Sequence, residues 1–185
     1  MIGSLPKTIT INDRELQIDT NFKTALLCME VYNDPDLSNA EKAYLVLDFI
    51  VGLNNIDETE YEEALDKVNW FLDGGLNYEN VSGKKKIMDW IQDEQFIFSA
   101  VNKVAGKETR EESYIHWWTW LGYFTEINEG LFTTIVSIRS KKARQESLTK
   151  AEQEFYKRNR SLVDIKERLS AEEQAEIDRW NEMLK

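Results

Sequence analysis

The chain has 185 residues, 42% of them hydrophobic and 31% charged, with a net charge of −11. That composition can offset the ordering entropy, so it excludes a wholly disordered chain, and the length predicts one domain with a real core. The acidic balance argues against a dedicated binder of nucleic acid or anionic membrane, because both need basic surface.

The start, Thr8-Ile-Thr-Ile-Asn-Asp-Arg-Glu-Leu-Gln-Ile-Asp19, alternates polar and apolar residues on both sides of Asn12-Asp13. It predicts a short β-hairpin whose apolar face leans on helices. The period then becomes 3.6. Phe22, Ala25, Leu26, Met29 and Tyr32 trace a first helix, capped by Asp19 or Thr20 and ended by Asn33-Asp34-Pro35. Ser38-Asn-Ala-Glu41 is a capping box that opens a second helix, and Asp57-Glu-Thr-Glu60 opens a third that stops at Gly74-Gly75. Residues 74–86 read as a loop. A fourth helix is expected from about Ile87 to Ala105, with Gly106 just past its end.

Another capping box, Thr109-Arg-Glu-Glu112, precedes an uncharged run, Ser113 to Thr125, that holds six aromatics and the chain's single histidine. Its apolar residues point all round a helix, which places it in the middle of a bundle, with Trp117 and Leu121 on the densest face. A sixth helix is expected over Gly130 to Ala143. Boxes at Thr149–Glu152 and Ser170–Glu173 start two more, carrying Phe155, Leu162 and Ile165, then Ile177, Trp180 and Leu184. These last faces are sparse, so they pack loosely or order on a partner. The expectation is a mainly α protein of six to eight helices with an N-terminal hairpin: an acidic body over residues 1–145 and a charged helical extension over 146–185. Residues 1–138 carry 11 Lys/Arg against 24 Asp/Glu, whereas residues 139–185 carry 12 against 10.

Chemistry-bearing motifs are few. Cys28 is alone, so no internal disulfide can form and a reducing compartment fits. The start lacks a signal-peptide pattern and no segment approaches a membrane span, so a soluble cytoplasmic protein is expected. The sequons at Asn80 and Asn159 are then chance matches. One histidine and one cysteine cannot supply a zinc site, and His116 reads as a helix-surface or hydrogen-bonded residue. Asp89 and Asp93, i and i+4 on the expected fourth helix with Glu94 beside them, could hold a divalent cation, yet a solvated face explains them better in so acidic a chain. Ser82-Gly-Lys-Lys-Lys86 fails the phosphate-loop pattern, since Tyr78 and Lys85 stand where Gly and Ser/Thr are needed. No catalytic residue and no cofactor is expected. The basic runs Arg139–Arg144 and Lys157–Arg160 read either as dipole-complementing, solvated residues or as a partner surface. The candidate partner-binding residues are Arg139, Lys141, Lys142, Arg144, Phe155, Leu162 and Trp180.

Three ordered stretches carry a resemblance: Asp89-Trp-Ile-Gln-Asp-Glu-Gln-Phe-Ile-Phe-Ser-Ala-Val101, Tyr114-Ile-His-Trp-Trp-Thr-Trp120 and Leu131-Phe-Thr-Thr-Ile-Val-Ser-Ile-Arg139. Together with the segment Leu16 to Tyr32 they resemble the bacteriophage gene-product-fifteen family of siphophage and prophage tail-morphogenesis gene blocks, over about residues 5–165. The resemblance implies a tail assembly chaperone that coats the tape measure protein, and it brings no catalytic residues. Such a coat implies self-association, for which the acidic body and the basic C-terminal section offer complementary surfaces. The alternatives are a phage-encoded regulator or adaptor that binds one folded partner, and a metal-dependent enzyme built on Asp89 and Asp93.

Overall fold

A computed structural model describes residues 3–76, 85–166 and 168–183. The expectations placed on residues 77–84 and on Leu184 lie outside the described residues. The protein is mainly helical with an N-terminal hairpin. Strands β1 (Thr8–Ile11) and β2 (Arg14–Gln17) pair antiparallel with Ile9 opposite Leu16 and Ile11 opposite Arg14. Asn12 and Asp13 both take positive φ, 46° and 60°, the two-residue turn whose twist matches the strands. Ile9 and Ile11 are buried, and Glu60 at the foot of the third helix accepts hydrogen bonds from Asn12 and Arg14 at the hairpin tip.

Helices α1 (Phe22–Asn33), α2 (Asn39–Ile50) and α3 (Tyr61–Leu72) follow. The Ser38/Glu41 and Asp57/Glu60 boxes are both formed, the second opening a 3₁₀ turn that leads into α3. The cap of α1 is Asn21 rather than Asp19 or Thr20, because Asp19 instead accepts from the Asn21 amide and the Thr24 hydroxyl. Next come α4 (Glu94–Ala105), α5 (Trp117–Thr125), α6 (Leu131–Ala143), α7 (Lys150–Arg158), α8 (Arg160–Val163) and α9 (Ala171–Met183).

Three boundaries differ from expectation, each for a local reason. Helix α4 begins at Glu94, not near Ile87, because the Asp89 carboxylate accepts from the Ile91 and Gln92 amides and holds a separate turn before it. The Thr109 pattern makes only a 3₁₀ turn; α5 starts at Trp117, where His116 Nδ1 accepts the Trp118 amide. The helix expected from Thr149 splits at Asn159, giving nine α-helices among the described residues.

The main core joins the hairpin to α1–α5, and Trp117 and Trp120 are its largest fully buried side chains. Leu121, expected to be buried with Trp117, is half-buried, and Trp120 takes the central place. The Trp120 ring stacks on Phe22, Trp117 and Phe124 at centroid distances of 5.9, 5.6 and 6.0 Å and meets the edge of Phe98 at 5.8 Å. The indoles of Trp117 and Trp118 donate to Leu72 O and Phe71 O, both at 2.8 Å, so α5 is joined to the carbonyl end of α3. Gly75 makes this approach possible: its φ is 79°, and a Cβ there would lie 2.7 Å from the Trp118 ring. A smaller second cluster, Ile135, Ile138 and Val163, packs α6 against α8, flanked by Phe155, Tyr156 and Leu162.

Candidate functional site

Cys28, His116, Asp89, Asp93 and Arg139 are each engaged in a structural role. Cys28 is fully buried, and burial pushes its thiol up to about 12, far from a reactive thiolate. His116 is the N-cap of α5. Its Nδ1 accepts the Trp118 amide, so Nε2 carries the proton, and Nε2 lies 2.8 Å from Pro6 O. One ring therefore stitches the N-terminal segment to the start of α5.

Asp89 and Asp93 correct the solvated-face reading. They are 2% and 0% exposed, and they sit in the turn before α4 rather than along a helix. Asp93 Oδ2 accepts the Asp89 amide at 2.9 Å. Burial pushes the Asp89 carboxyl up, but the Gln92 amide and the cations Lys86 and Arg168, each at 2.7 Å, outweigh it and hold the group at about 2. Among the described residues no three His, Cys, Asp or Glu side chains gather as metal ligands.

Asp93 meets Arg139, and here the partner-surface reading fails for one residue. Arg139 is 5% exposed and all its donors are used internally. Nη1 and Nη2 form a bidentate pair with Asp93, Nη2 also donates to Leu162 O at 2.9 Å, Nη1 reaches Ile87 O, and Nε donates to Val163 O. This clamp ties α4, α6 and α8 together. The sequence held a usable signal: Phe132, Ile135 and Arg139 lie at i, i+3 and i+7, so Arg139 falls on the apolar face of α6.

The other basic candidates are surface residues paired within the chain. Lys141 meets Glu152 at 2.7 Å, Lys142 meets Asp164 at 2.6 Å, and Arg144 meets Glu146 at 3.1 Å. Phe155 and Leu162 are half-buried against the second cluster. Trp180 alone among the apolar candidates is free, at 58% exposed, on a helix none of whose residues is buried.

A feature the sequence reading missed is a hollow of about 250 Å³ between α1 and α4, floored by α5. Phe22, Leu26, Leu27, Ile97, Phe98, Trp90 and Trp120 form its apolar lining, with Lys23, Glu30, Glu94 and Arg110 around it. Lys23 Nζ stands 5.8 Å from the Phe22 ring and the Arg110 guanidinium 5.3 Å from the Phe98 ring. The Trp120 Nε1 donor is the one buried side-chain polar atom without a partner among the described residues. The groove was hidden in the sequence because Leu26 read as an ordinary core position, while Leu27, 48% exposed, lay off the apolar face traced for the first helix.

No helix among the described residues is long and apolar enough to cross a membrane. Neither comparison with curated proteins nor comparison with solved structures gives a match. The model of one family, described as Bacteriophage Gp15 protein, matches residues 1–165, a span that contains the hairpin, α1 to α8 and both members of the Asp93–Arg139 clamp. The chain belongs to the Bacteriophage Gp15 protein family.

Proposed function

We propose that this phage protein is a tail assembly chaperone that binds the tape measure protein in the host cytoplasm, without catalysis of its own. The observation that carries the reading is α9. Ile177, Trp180 and Met183 are 41%, 58% and 68% exposed and recur at every third position, so one apolar stripe faces outward on a charged helix. Such a stripe suits transient contact with the long helices expected of a tape measure protein, since two apolar helix faces bury each other without demanding one sequence. Family membership supports the phage context, and the engagement of His116, Asp89, Asp93 and Cys28 in structural contacts suits a protein that works by binding.

The test is titration of a recombinant helical fragment of the tape measure protein into the full-length chain, followed by calorimetry and light scattering. The expected result is binding with several chains per fragment, lost on Trp180→Glu. No binding to the fragment, together with one-to-one binding of a single folded phage protein, would replace the chaperone reading with the adaptor reading.

A further inference from the structure

The chain carries two unpartnered apolar features, the α1–α4 groove and the α9 stripe. A free helix of 13 residues is marginal in water, so α9 gains most from a surface to lie on. We infer that α9 of one copy seats in the α1–α4 groove of a second copy, with Trp180 as the anchor against Leu26 and Leu27.

Charge sets the direction. Lys23 stands over the Phe22 ring at one end of the groove, beside Arg110, which lies over the Phe98 ring and is paired with Glu108 of its own chain at 2.8 Å. At the other end Glu30 also borders the adjoining hollow, with Asp34, Asp36 and Arg168, whose charge is taken up by Asp89. A helix laid with its C-terminus toward Lys23 puts its negative end and Glu182 beside that ammonium, and Arg179, one turn earlier, toward Glu30. The opposite direction brings the acidic first turn, Glu172 and Glu173, to Lys23, but leaves Glu182 and the negative helix end against Glu30.

The occupant comes from a second copy because the root of α9 is fixed. The Ala171 amide donates to Asp36 at 2.7 Å and Arg168 pairs with Asp89 at 2.7 Å, and from that root every described residue of α9 is exposed. With these tethers made, no α9 residue lines the groove of its own chain, and a neighbour's α9 enters with both in place. A groove on one face and a helix on another make a heterologous contact, which extends from chain to chain into a ring or an open array. The basic run 139–144 is not needed for it, being spent on its own chain. The self-contact stands on these two surfaces alone and does not depend on the client reading.

Mixing two full-length variants tests it. Trp180→Glu spoils α9 and keeps the groove; Leu27→Glu spoils the groove and keeps α9. Both positions are exposed, and circular dichroism matched to the wild type verifies the fold. By light scattering over a hundredfold concentration range, wild type should grow from the 21.7 kDa chain to multiples of it, each variant alone should stay a single chain, and the equimolar mixture should stop at two. A wild type that stays single, unchanged growth in either variant, or a mixture that never pairs overturns the inference. In a second arm, Leu27→Glu is given the tape-measure fragment. Capture without pairing in the mixture sinks only the self-contact, and pairing without capture sinks only the chaperone reading.

Discussion

Between the hairpin and α5 the fold is held by rings, whereas beyond α6 it is held by charge. Trp117 and Trp120 close the first region through stacking, and Trp117 and Trp118 through indole donors on the end of α3. The second region has three fully buried apolar residues of its own, Ile135, Ile138 and Val163. Its attachment rests on the Arg139–Asp93 clamp, the Arg168–Asp89 pair, and Gln92, which donates to Asp164 O and accepts from the Lys166 amide, while Lys142–Asp164 ties α6 to the end of α8 within it. Apolar burial is non-directional and insensitive to pH, whereas a buried ion pair adds little net stability as a whole and is costly when half of it is removed. The body should therefore resist what detaches the arm.

The largest effect expected is in the ring core. Trp117→Ala removes a fully enclosed indole and leaves Leu72 O without its donor, and should cost about 4 kcal/mol of global stability in urea unfolding followed by circular dichroism. A variant as stable as the wild type would show that the rings do not carry the body. Arg139→Ala should cost about 3 kcal/mol, because Asp93 is left buried and unpaired. The double change Asp93→Asn with Arg139→Met should cost less than Arg139→Ala alone, since it removes both charges together. Equal losses in the two would mean that Arg139 acts by packing rather than by charge.

How much of this was legible in the sequence follows the same division. The hairpin turn at Asn12-Asp13, the boxes at Ser38, Asp57, Thr149 and Ser170, and the end of α4 at Gly106, whose φ is 69°, are all read from neighbouring residues, because the physics that sets them is local. The clamp joins residues 46 positions apart, so neither Asp93 nor Arg139 announces its partner, and each reads as one more surface charge. Asp89 misled for another reason: its side chain captures nearby amides and ends the helical path that its apolar neighbours suggest. The groove also depends on three elements far apart in the chain, and no spacing rule reveals it.

Acid should separate the two regions. For Asp164, burial pushes the carboxyl up, but Lys142, Arg160 and Tyr156 outweigh it and hold the group at about 2, as Asp89 is held. Both lie below the ordinary value of 3.8, so their contribution is complete above that value and is lost as pH falls through about 2. Glu60, held at about 2 by the Asp57 amide, Arg14 and Asn12, loosens the hairpin tip in the same window. The indole bonds of Trp117 and Trp118 do not titrate there. Tryptophan fluorescence, dominated by the ring core, should change at lower pH than hydrogen exchange at α7 and α8. Coincident transitions would break the distinction between body and arm.

The smallest effect sharpens the comparison most, because one chemical device occurs in both regions. Ser38 caps α2 in the body and Thr149 caps α7 in the arm, each in a reciprocal box with a Glu three residues on. Ser38→Ala and Thr149→Ala remove equivalent bonds and should each cost about 1 kcal/mol locally. They should differ in where that cost is felt. Helix α2 contributes Val46, Leu47 and Ile50 to the main core, so its cap is coupled to global unfolding, and Ser38→Ala should lower the urea midpoint of the whole protein. Helix α7 buries no residue fully, so it can open while the ring core stays closed. Thr149→Ala should therefore speed hydrogen exchange of the α7 amides about fivefold, the factor that about 1 kcal/mol gives at room temperature, while leaving the midpoint where it was. If Thr149→Ala instead moves the midpoint as far as Ser38→Ala does, the clamp couples the arm to the ring core strongly enough that the two unfold as one.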